Sequence, residues 1–494
     1  MDVAARNTNR ASRIARLGWL FASVLVCGGV ALVQFRWVLG HFSSDGYLLD
    51  SGWLAYLLES SDPWLRNPAG VNDLSFYAHH LSPHLFLFGA PIVRLLRLNG
   101  FEILAVHAAL FFGLFTAALL WTTWGDADWR VRLLLFLSVA GIGAVSNILF
   151  QAAGYPHYEI AMLSVTTLAL AAWARGWRRL FVACVVWLPL IREDGGFYAA
   201  FVGLASWAVT DPTWRRPAHR STLLLAIVGG LAASAASMGI KSQFFPGFDA
   251  FAFNFSGESW SHLSGPFLAG RAYAAVTNPN IVPVLLGCLV LTYWDVRYAA
   301  GVILLSPLYL LHLLAVREEH GHFTLYFALP WLLPAVIWLL LVSQRSRRRA
   351  VSLSEAVAIL LLTAAMAAPV QAAAGLSGNF WYVVPWSFKR PIRDLDELRR
   401  FARDAHTTFA PGGRDALLAC ASIGVAALIP SDLRPEEVLD PAVGVSRCGT
   451  ALLMAGDMHS GPLRTRLEED QFQKIAERDN VELWIRPNPR PPKP

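Results

Sequence analysis

Residues 17–39 read LGWLFASVLVCGGVALVQFRWVL, an apolar run long enough to cross a lipid bilayer as one helix. Four basic residues precede it, Arg6, Arg10, Arg13 and Arg16. The run is longer than the apolar core of a secretory signal peptide, and no A-x-A cleavage site follows it. We therefore expect an uncleaved first span with its N-terminus in the cytoplasm.

The composition of the whole chain agrees with a membrane protein. Of 494 residues, 55% are hydrophobic and only 15% are charged, whereas an average soluble protein has about 25% charged residues. Too few polar residues exist to cover the surface of a water-soluble globule. The net charge of +6 comes from arginines beside apolar segments, so it does not indicate a nucleic-acid partner. The expected class is an all-α polytopic membrane protein.

Apolar segments suitable for spanning recur along the chain and give a count of about 11 transmembrane helices. They are residues 17–39, 101–124, 131–150, 160–174, 180–191, 197–209, 223–240, 281–293, 298–316, 323–342 and 351–373. Segment 81–98 is apolar but interrupted by prolines and arginines. The basic loops at 175–179, 215–220 and 345–349 all face the cytoplasm only if segment 81–98 dips in without crossing. Eleven spans place the C-terminus outside.

This topology divides the chain into a transmembrane domain, residues 1–373, and an extracytoplasmic α/β domain, residues 374–486, before a disordered Pro-rich tail, residues 487–494. The first extracytoplasmic loop covers residues 40–80. In a second such stretch, residues 241–280, we expect an amphipathic helix near 266–276. In the tail we expect a charged helix at 394–405 and strands at 416–421, 451–455 and 481–485. Cys420 and Cys448 can pair if the tail is extracytoplasmic.

Two acids open the first outer loop. Asp45 and Asp50 lie five residues apart, so on a helix both can border one cavity. The alternative is that they only begin a surface helix, with Asp45 as its N-cap and Asp50 in solvent.

Histidines close the same loop, at positions 79, 80 and 84. His80 and His84 share a helical face. The spacing of zinc sites such as HExxH is absent, so a metal site is the less favoured interpretation. Capping of the dipping helix or binding of a phosphate by an imidazolium is at least as well supported.

Ionisable residues next to the spans form the other candidates, because charge near the bilayer interior is costly. His157 and Glu159 lie at the outer end of the fourth span, and Arg192, Glu193 and Asp194 at the outer end of the fifth. Salt bridges between helices are the structural alternative for these groups.

The last polar group, residues 317–322, includes His320, and a solvated charged turn is its default interpretation. Together these clusters map to one face of the membrane. A cavity there with acids, histidines and an arginine can bind an anionic lipid head group and activate a hydroxyl.

These motifs resemble those of a bacterial family of predicted multi-span membrane proteins of unknown function, similar in architecture to the GT-C glycosyltransferases such as protein mannosyltransferases and lipid A aminoarabinose transferases. That family has an Asp pair after the first helix, a H-[FL]-S-P element, a H-P-E element and a K-E-D element. The matching residues are Asp45 and Asp50, His80-Leu81-Ser82-Pro83, His157-Tyr158-Glu159 and Arg192-Glu193-Asp194. Tyr158 replaces the usual Pro, and Arg192 replaces the usual Lys.

The resemblance implies a glycosyltransferase of the bacterial inner membrane that uses a polyprenyl-phosphate sugar and an extracytoplasmic acceptor. Asp45 would act as general base and Asp50 would orient the acceptor, while Arg192 and His80 would bind the phosphate. His84, His157, Glu159, Glu193, Asp194 and His320 would complete the substrate site. Some proteins of this architecture use a divalent metal ion, which the sequence does not decide. The alternatives are a non-catalytic membrane transporter and an assembly scaffold.

Overall fold

The structure is a computed structural model. It describes residues 2–43, 49–60, 62–67, 75–123, 128–154, 156–210, 217–247, 249, 251–257, 259–347, 351–374, 397, 400–401, 403–404, 418–422, 425, 437–438, 448–455, 460–478 and 481–486.

Helices dominate the first three quarters of the described chain, as the long apolar segments predict. They are α1 (Asp2–Ser43), α2 (Leu49–Ser60), α3 (Pro83–Leu96), α4 (Gly100–Thr123), α5 (Trp129–Val145), α6 (Asn147–Gly154), α7 (Ile160–Ala174), α8 (Arg178–Ile191), α9 (Gly195–Val209), α10 (Pro217–Phe244), α11 (Gly265–Thr277), α12 (Val282–Leu291), α13 (Ala300–Leu313), α14 (Glu318–Gly321), α15 (Leu333–Arg347), α16 (Leu353–Ala365) and α17 (Ala368–Ala373). Short 3-10 or π turns connect several of them, including Ala252–Ser256 and Leu325–Leu332.

Within the described ranges, five helical segments are long and apolar enough to cross a membrane. They are Leu17–Gly40, Gly100–Thr123, His219–Phe244, Val296–Leu313 and Glu318–Ser346. A sixth is possible if α11 and α12, which meet at a bend of 67°, count as one broken span. The total of eleven stays a prediction, since several of the other expected spans correspond to apolar helices of 10–17 residues, such as α7, α9 and α16.

Breaks in the helices are joined to each other by side-chain amides. The Asn147 amide donates to Asn280 Oδ1 at 3.1 Å and to Gln371 Oε1 at 2.8 Å. Gln371 in turn donates to the carbonyl of Pro279 at 2.7 Å. All three side chains are buried and lie where two helices meet: α5 and α6, α11 and α12, α16 and α17. Polar groups at helix breaks need hydrogen-bond partners inside an apolar bundle. These amide contacts allow the expected spans 131–150 and 351–373 to be interrupted.

Segment 81–98 forms α3, as the sequence predicts, and this helix begins at Pro83. It packs against α2, α4 and α8. Proline is favoured in the first turn of a helix because its missing N–H would have no partner there. Pro83 therefore sets where the loop before α3 ends, and this loop lies next to the turn between α8 and α9.

The C-terminal part contains a five-stranded mixed sheet in the order β2-β1-β3-β5-β4. The strands are β1 (Leu418–Ala421), β2 (Glu437–Val438), β3 (Cys448–Met454), β4 (Gln473–Arg478) and β5 (Val481–Ile485), and α18 (Ser460–Glu469) connects β3 to β4. The three strands expected from the sequence are confirmed in position. Residues 487–494 and most of 394–405 lie outside the described residues.

Cysteine bonding agrees with an oxidising environment for this sheet. Cys420 takes part in a disulfide bond, whereas Cys27, Cys184 and Cys288 in the helical part are free thiols. Disulfides persist outside the reducing cytoplasm. The extracytoplasmic location of the tail stays a prediction.

Candidate functional site

The tight turn between α8 and α9 carries Arg192, Glu193 and Asp194. Arg192 has extended backbone angles at the end of α8, and α9 begins at Gly195. A Cβ atom on Gly195 would lie 2.0 Å from the carbonyl oxygen of Leu188. Only glycine permits this close approach, so the sequence R-E-D-G fixes where the three charged side chains emerge.

Arg192 is paired with two carboxylates. Its Nε donates to Asp194 Oδ1 at 2.6 Å, and its Nη1 binds Glu159 Oε1 at the start of α7. Glu159 also pairs with His157 Nδ1. The His157 ring stacks on Tyr326, with centroids 4.5 Å apart and planes within 9° of parallel. The H-Y-E and R-E-D motifs thus form one ion cluster, as the sequence predicts from their common depth.

Glu193 connects this turn to the loop before α3. Its Oε1 lies 3.0 Å from His80 Nδ1, and its Oε2 accepts the Leu81 backbone N–H at 3.0 Å. The H-L-S-P element therefore meets the R-E-D element through Glu193. We call Arg192, Glu159, Asp194, Glu193 and His80 the pocket cluster.

Charge pairing decides the ionisation of the pocket cluster. Burial by itself would raise the pKa of Glu159, but the charges of His157 and Arg192 outweigh burial and lower its pKa to about 2. The pKa of Glu193 is likewise lowered, because His80 and then Arg192 outweigh burial. Burial opposes the charge on Arg192, yet Asp194 and Glu159 raise its pKa well above the usual value. Glu159, Glu193 and Arg192 are consequently ionised at neutral pH.

A pocket opens beside Glu159 and Arg192. Its empty space is about 400 Å³ including the part open to solvent. It is lined by Glu159, Met162, Leu163, Arg192, Tyr198, His312, Tyr326, Phe327, Leu329, Pro330 and Leu333. Tyr198, His312 and Tyr326 were not among the residues chosen from the sequence. His312 lies inside the expected span 298–316, and an ionisable residue at that depth was a signal that could have identified it.

His84 does not join the pocket cluster in the structure. It is buried on α3, where its Nε2 lies 3.0 Å from His107 Nε2 on α4 and its Nδ1 accepts from Trp187 Nε1 of α8 at 3.1 Å. His80 precedes α3, so the two histidines do not share a helical face as expected. A substrate-binding role for His84 stays a prediction.

His320 is buried, contrary to the solvated turn that the charged sequence favoured. Only 6% of its surface is exposed. The centroid of its ring lies 3.7 Å from that of Phe327 and 5.1 Å from that of His312. Aromatic residues that follow it in sequence fold back over it, which local charge alone does not predict. His320 therefore lies behind the pocket wall.

The acidic pair is not placed by the structure. Asp45 lies outside the described residues, and of Asp50 only the backbone position in α2 is described. Among the residues that are described, no three His, Cys, Asp or Glu side chains are grouped so that they could hold a metal ion.

The charge count of the pocket cluster limits its chemistry. The cluster contains three carboxylates and one guanidinium: Arg192 pairs with Glu159 and Asp194, and Glu193 pairs with His80. Guanidinium and imidazole N–H groups can donate hydrogen bonds to phosphate oxygens. An incoming anion must therefore compete with these carboxylates for the donors.

Comparison with known proteins gives distant structural likenesses. No family model and no curated protein matches the chain. The arabinofuranosyltransferase AftD from Mycobacteria is similar at a TM-score of 0.49 and 14% identity, over 95% of this chain and 40% of that one. The oligosaccharyltransferase of Archaeoglobus fulgidus is similar at a TM-score of 0.45 and 11% identity, over 93% of this chain and 73% of that one. The chain thus spans about two fifths of the mycobacterial enzyme's length, and likenesses at this level establish neither a shared fold nor a shared activity.

Proposed function

We propose that the protein is a membrane glycosyltransferase that moves a sugar from a polyprenyl-phosphate donor to an extracytoplasmic acceptor. We place it in the bacterial inner membrane with eleven spans, its N-terminus inside and its α/β domain outside. The observation that carries the proposal is the pocket beside Glu159 and Arg192, because it brings the H-Y-E and R-E-D motifs together. The resemblance of these motifs to those of GT-C-like proteins supports the choice of reaction.

In the proposed reaction Asp45 accepts the proton of the acceptor hydroxyl while the hydroxyl oxygen attacks the anomeric carbon. The bond from the anomeric carbon to the phosphate oxygen breaks, and polyprenyl phosphate leaves with that electron pair. Asp50 orients the acceptor. Each transfer therefore releases one polyprenyl phosphate and leaves one proton on the enzyme.

Stabilisation of the leaving phosphate falls to Arg192 and His80. Glu159 and Asp194 hold the guanidinium in position, and Glu193 holds His80. A phosphate that approaches Arg192 competes with two carboxylates, Glu159 and Asp194. His157, His84 and His320 complete the substrate site in this proposal.

Native mass spectrometry in nanodiscs made with native lipids tests the donor site. We expect the wild-type protein to retain a polyprenyl phosphate or its sugar conjugate, whose mass identifies the sugar, and Arg192→Ala to lose it. Arg345→Ala is the control, because the Arg345 side chain is as accessible as that of Arg192 and also pairs with a buried glutamate, but lies outside the pocket. Since this variant is expected to be less stable, only folded, monodisperse protein is compared.

Retention by wild type and Arg345→Ala but not by Arg192→Ala supports the proposal. If none of the three proteins holds such a lipid after addition of a polyprenyl-phosphate extract, the transferase proposal is wrong, and transport or scaffolding becomes the better explanation.

A further inference from the structure

The amphipathic helix expected near 266–276 exists as α11, and the proposed transfer reaction gives it no role. Its residues GPFLAGRAYAAVT include a single charge, Arg271. Arg271 is buried, with 6% of its surface exposed. With a rotation of about 100° per residue, the less exposed residues of α11 fall on one side of the helix. The rest of the helix circumference, an arc of roughly 200°, carries no charged residue.

The exposed side of α11 is apolar. Leu268 is 44%, Tyr273 70% and Val276 64% exposed. Exposure of this apolar side to water is unfavourable, because apolar surface has a lower free energy in an apolar environment. Large apolar residues of the preceding stretch, Phe251 and Trp260, are exposed as well.

Exposed apolar residues also occur on the two helices that α11 contacts, and one of these, α13, belongs to a candidate membrane span. α11 packs against α12 and α13. On those helices Leu289 is 73% and Ile303 63% exposed. The bend of 67° between α11 and α12 turns α11 away from the direction of the helix that follows. Tyrosine and tryptophan at its margin are typical of the boundary between headgroups and acyl chains.

Arg271 points the opposite way, into the protein. Its guanidinium donates to the carbonyl oxygens of Ala315 at 3.1 Å and Arg317 at 3.2 Å, and it lies over the Phe267 ring at 4.9 Å. A Cβ on Gly321 would lie 2.4 Å from the guanidinium carbon. The Arg271 guanidinium therefore packs closely against both Gly321 and the Phe267 ring.

Two more hydrogen bonds connect residues on either side of α11 to the loop that contains Ala315 and Arg317. The ring nitrogen Nε2 of His262 lies 2.9 Å from the Leu314 carbonyl oxygen, and Asn278 donates to the His322 carbonyl at 2.7 Å. The tied loop, residues 314–322, connects His312 to Tyr326, which both line the pocket. α11 and its flanking residues are therefore bonded to a segment that lies between two pocket residues.

We propose that α11 lies in the bilayer leaflet at the pocket end of the helices, with its exposed side against phospholipid acyl chains, and that this contact positions loop 314–322. The bilayer then acts as a binding partner that holds the loop between two pocket-lining residues, His312 and Tyr326. This proposal does not depend on the transfer reaction.

Site-directed spin labelling tests the lipid contact directly. The free thiols Cys27, Cys184 and Cys288 are replaced by alanine, and a nitroxide is attached at Tyr273→Cys or Val276→Cys in full-length protein in phosphatidylcholine vesicles. Leu289→Cys is the lipid-facing control, and Thr465→Cys on the charged helix α18 is the aqueous control. Oxygen, which enters lipid, and a nickel chelate, which stays in water, are used as relaxing agents.

We expect the ratio of oxygen to nickel accessibility at 273 and 276 to equal that at 289 and to exceed that at 465 several-fold. A ratio like that at 465 overturns the proposal, because α11 would then lie in water. Low accessibility to both agents also overturns it, since another protein surface would then cover α11.

A label at Glu319→Cys tests the connection to the pocket wall. Arg271→Gln should sharpen its spectrum, because loss of the guanidinium contacts frees loop 314–322. An unchanged spectrum in Arg271→Gln would show that α11 does not position the loop.

Discussion

Two buried ion clusters of this protein are built from the same residue types but differ in charge balance. The pocket cluster has one guanidinium and three carboxylates: Arg192 pairs with Glu159 and Asp194, and Glu193 pairs with His80. The second cluster has two of each. There Arg345 Nη1 lies 2.9 Å from Glu355 Oε1 and 3.9 Å from Asp295 Oδ2, and Arg297 pairs with Asp295 at 2.7 Å.

Their surroundings differ as well. Glu355 is completely buried and also accepts the Tyr298 hydroxyl at 2.5 Å. The pocket cluster contributes Glu159 and Arg192 to the lining of a pocket, whereas the second cluster lies outside that lining. The arginines themselves are equally accessible, with 20% of the Arg192 side chain and 19% of the Arg345 side chain exposed. A balanced and closed cluster is typical of a contact that fastens helices together. An unbalanced cluster beside empty space is typical of a site that binds something further.

The largest expected effect is on stability, in the closed cluster. Arg345→Ala leaves the Glu355 carboxylate buried without its cation, which should cost about 3–5 kcal/mol of unfolding free energy. Arg192→Ala should cost less, because its carboxylates are closer to solvent and keep His157 and His80 as partners. Unfolding in mixed detergent micelles measures both. A larger cost for Arg192→Ala would contradict the division into a structural and a functional cluster.

The second expected effect is a loss of stability in acid that originates in the pocket cluster. The pKa of Glu159 is lowered from 4.5 to about 2, so its stabilising contribution is complete above pH 4.5 and is lost as the pH falls towards 2. The loss is on the order of 3 kcal/mol for this residue. Thermal unfolding of the detergent-solubilised protein between pH 5 and pH 2.5 measures it.

Glu159→Gln is the control for that pH dependence. It should be less stable than wild type at pH 5 and should lose less stability on acidification. Equal slopes for the two proteins would mean that the acid sensitivity arises from other carboxylates.

Much of the helical fold could be predicted from the sequence, because apolar composition reports burial or lipid contact directly. The pairing of Glu159 with Arg192 was also predictable, since both end a span on the same side. His312 and Tyr326 reach the pocket through the folding of the loop between them, which no periodicity encodes. β4 escaped prediction for a different reason. Its residues QKIAER alternate weakly and stay mostly exposed at the sheet edge, so no apolar pattern marks it.

The smallest expected effects come from two tyrosines, one beside each cluster. Both are fully buried. The Tyr298 hydroxyl donates to Glu355, whereas the Tyr158 hydroxyl has no hydrogen-bond partner among the described residues. Removing a donor to a charged group costs about 1.5–3 kcal/mol, and removing a buried hydroxyl that lacks a partner costs nothing or stabilises.

Tyr298→Phe should therefore lower the unfolding free energy by about 1.5–3 kcal/mol, while Tyr158→Phe should leave it unchanged or raise it slightly. The two substitutions remove the same atom from equally buried rings, so each is the control for the other in the micelle unfolding assay. If Tyr158→Phe costs as much as Tyr298→Phe, the Tyr158 hydroxyl is bonded in the folded protein. The region around the pocket cluster would then be as fully satisfied as the closed cluster, and unpartnered polar groups would no longer distinguish a site from a fastening contact.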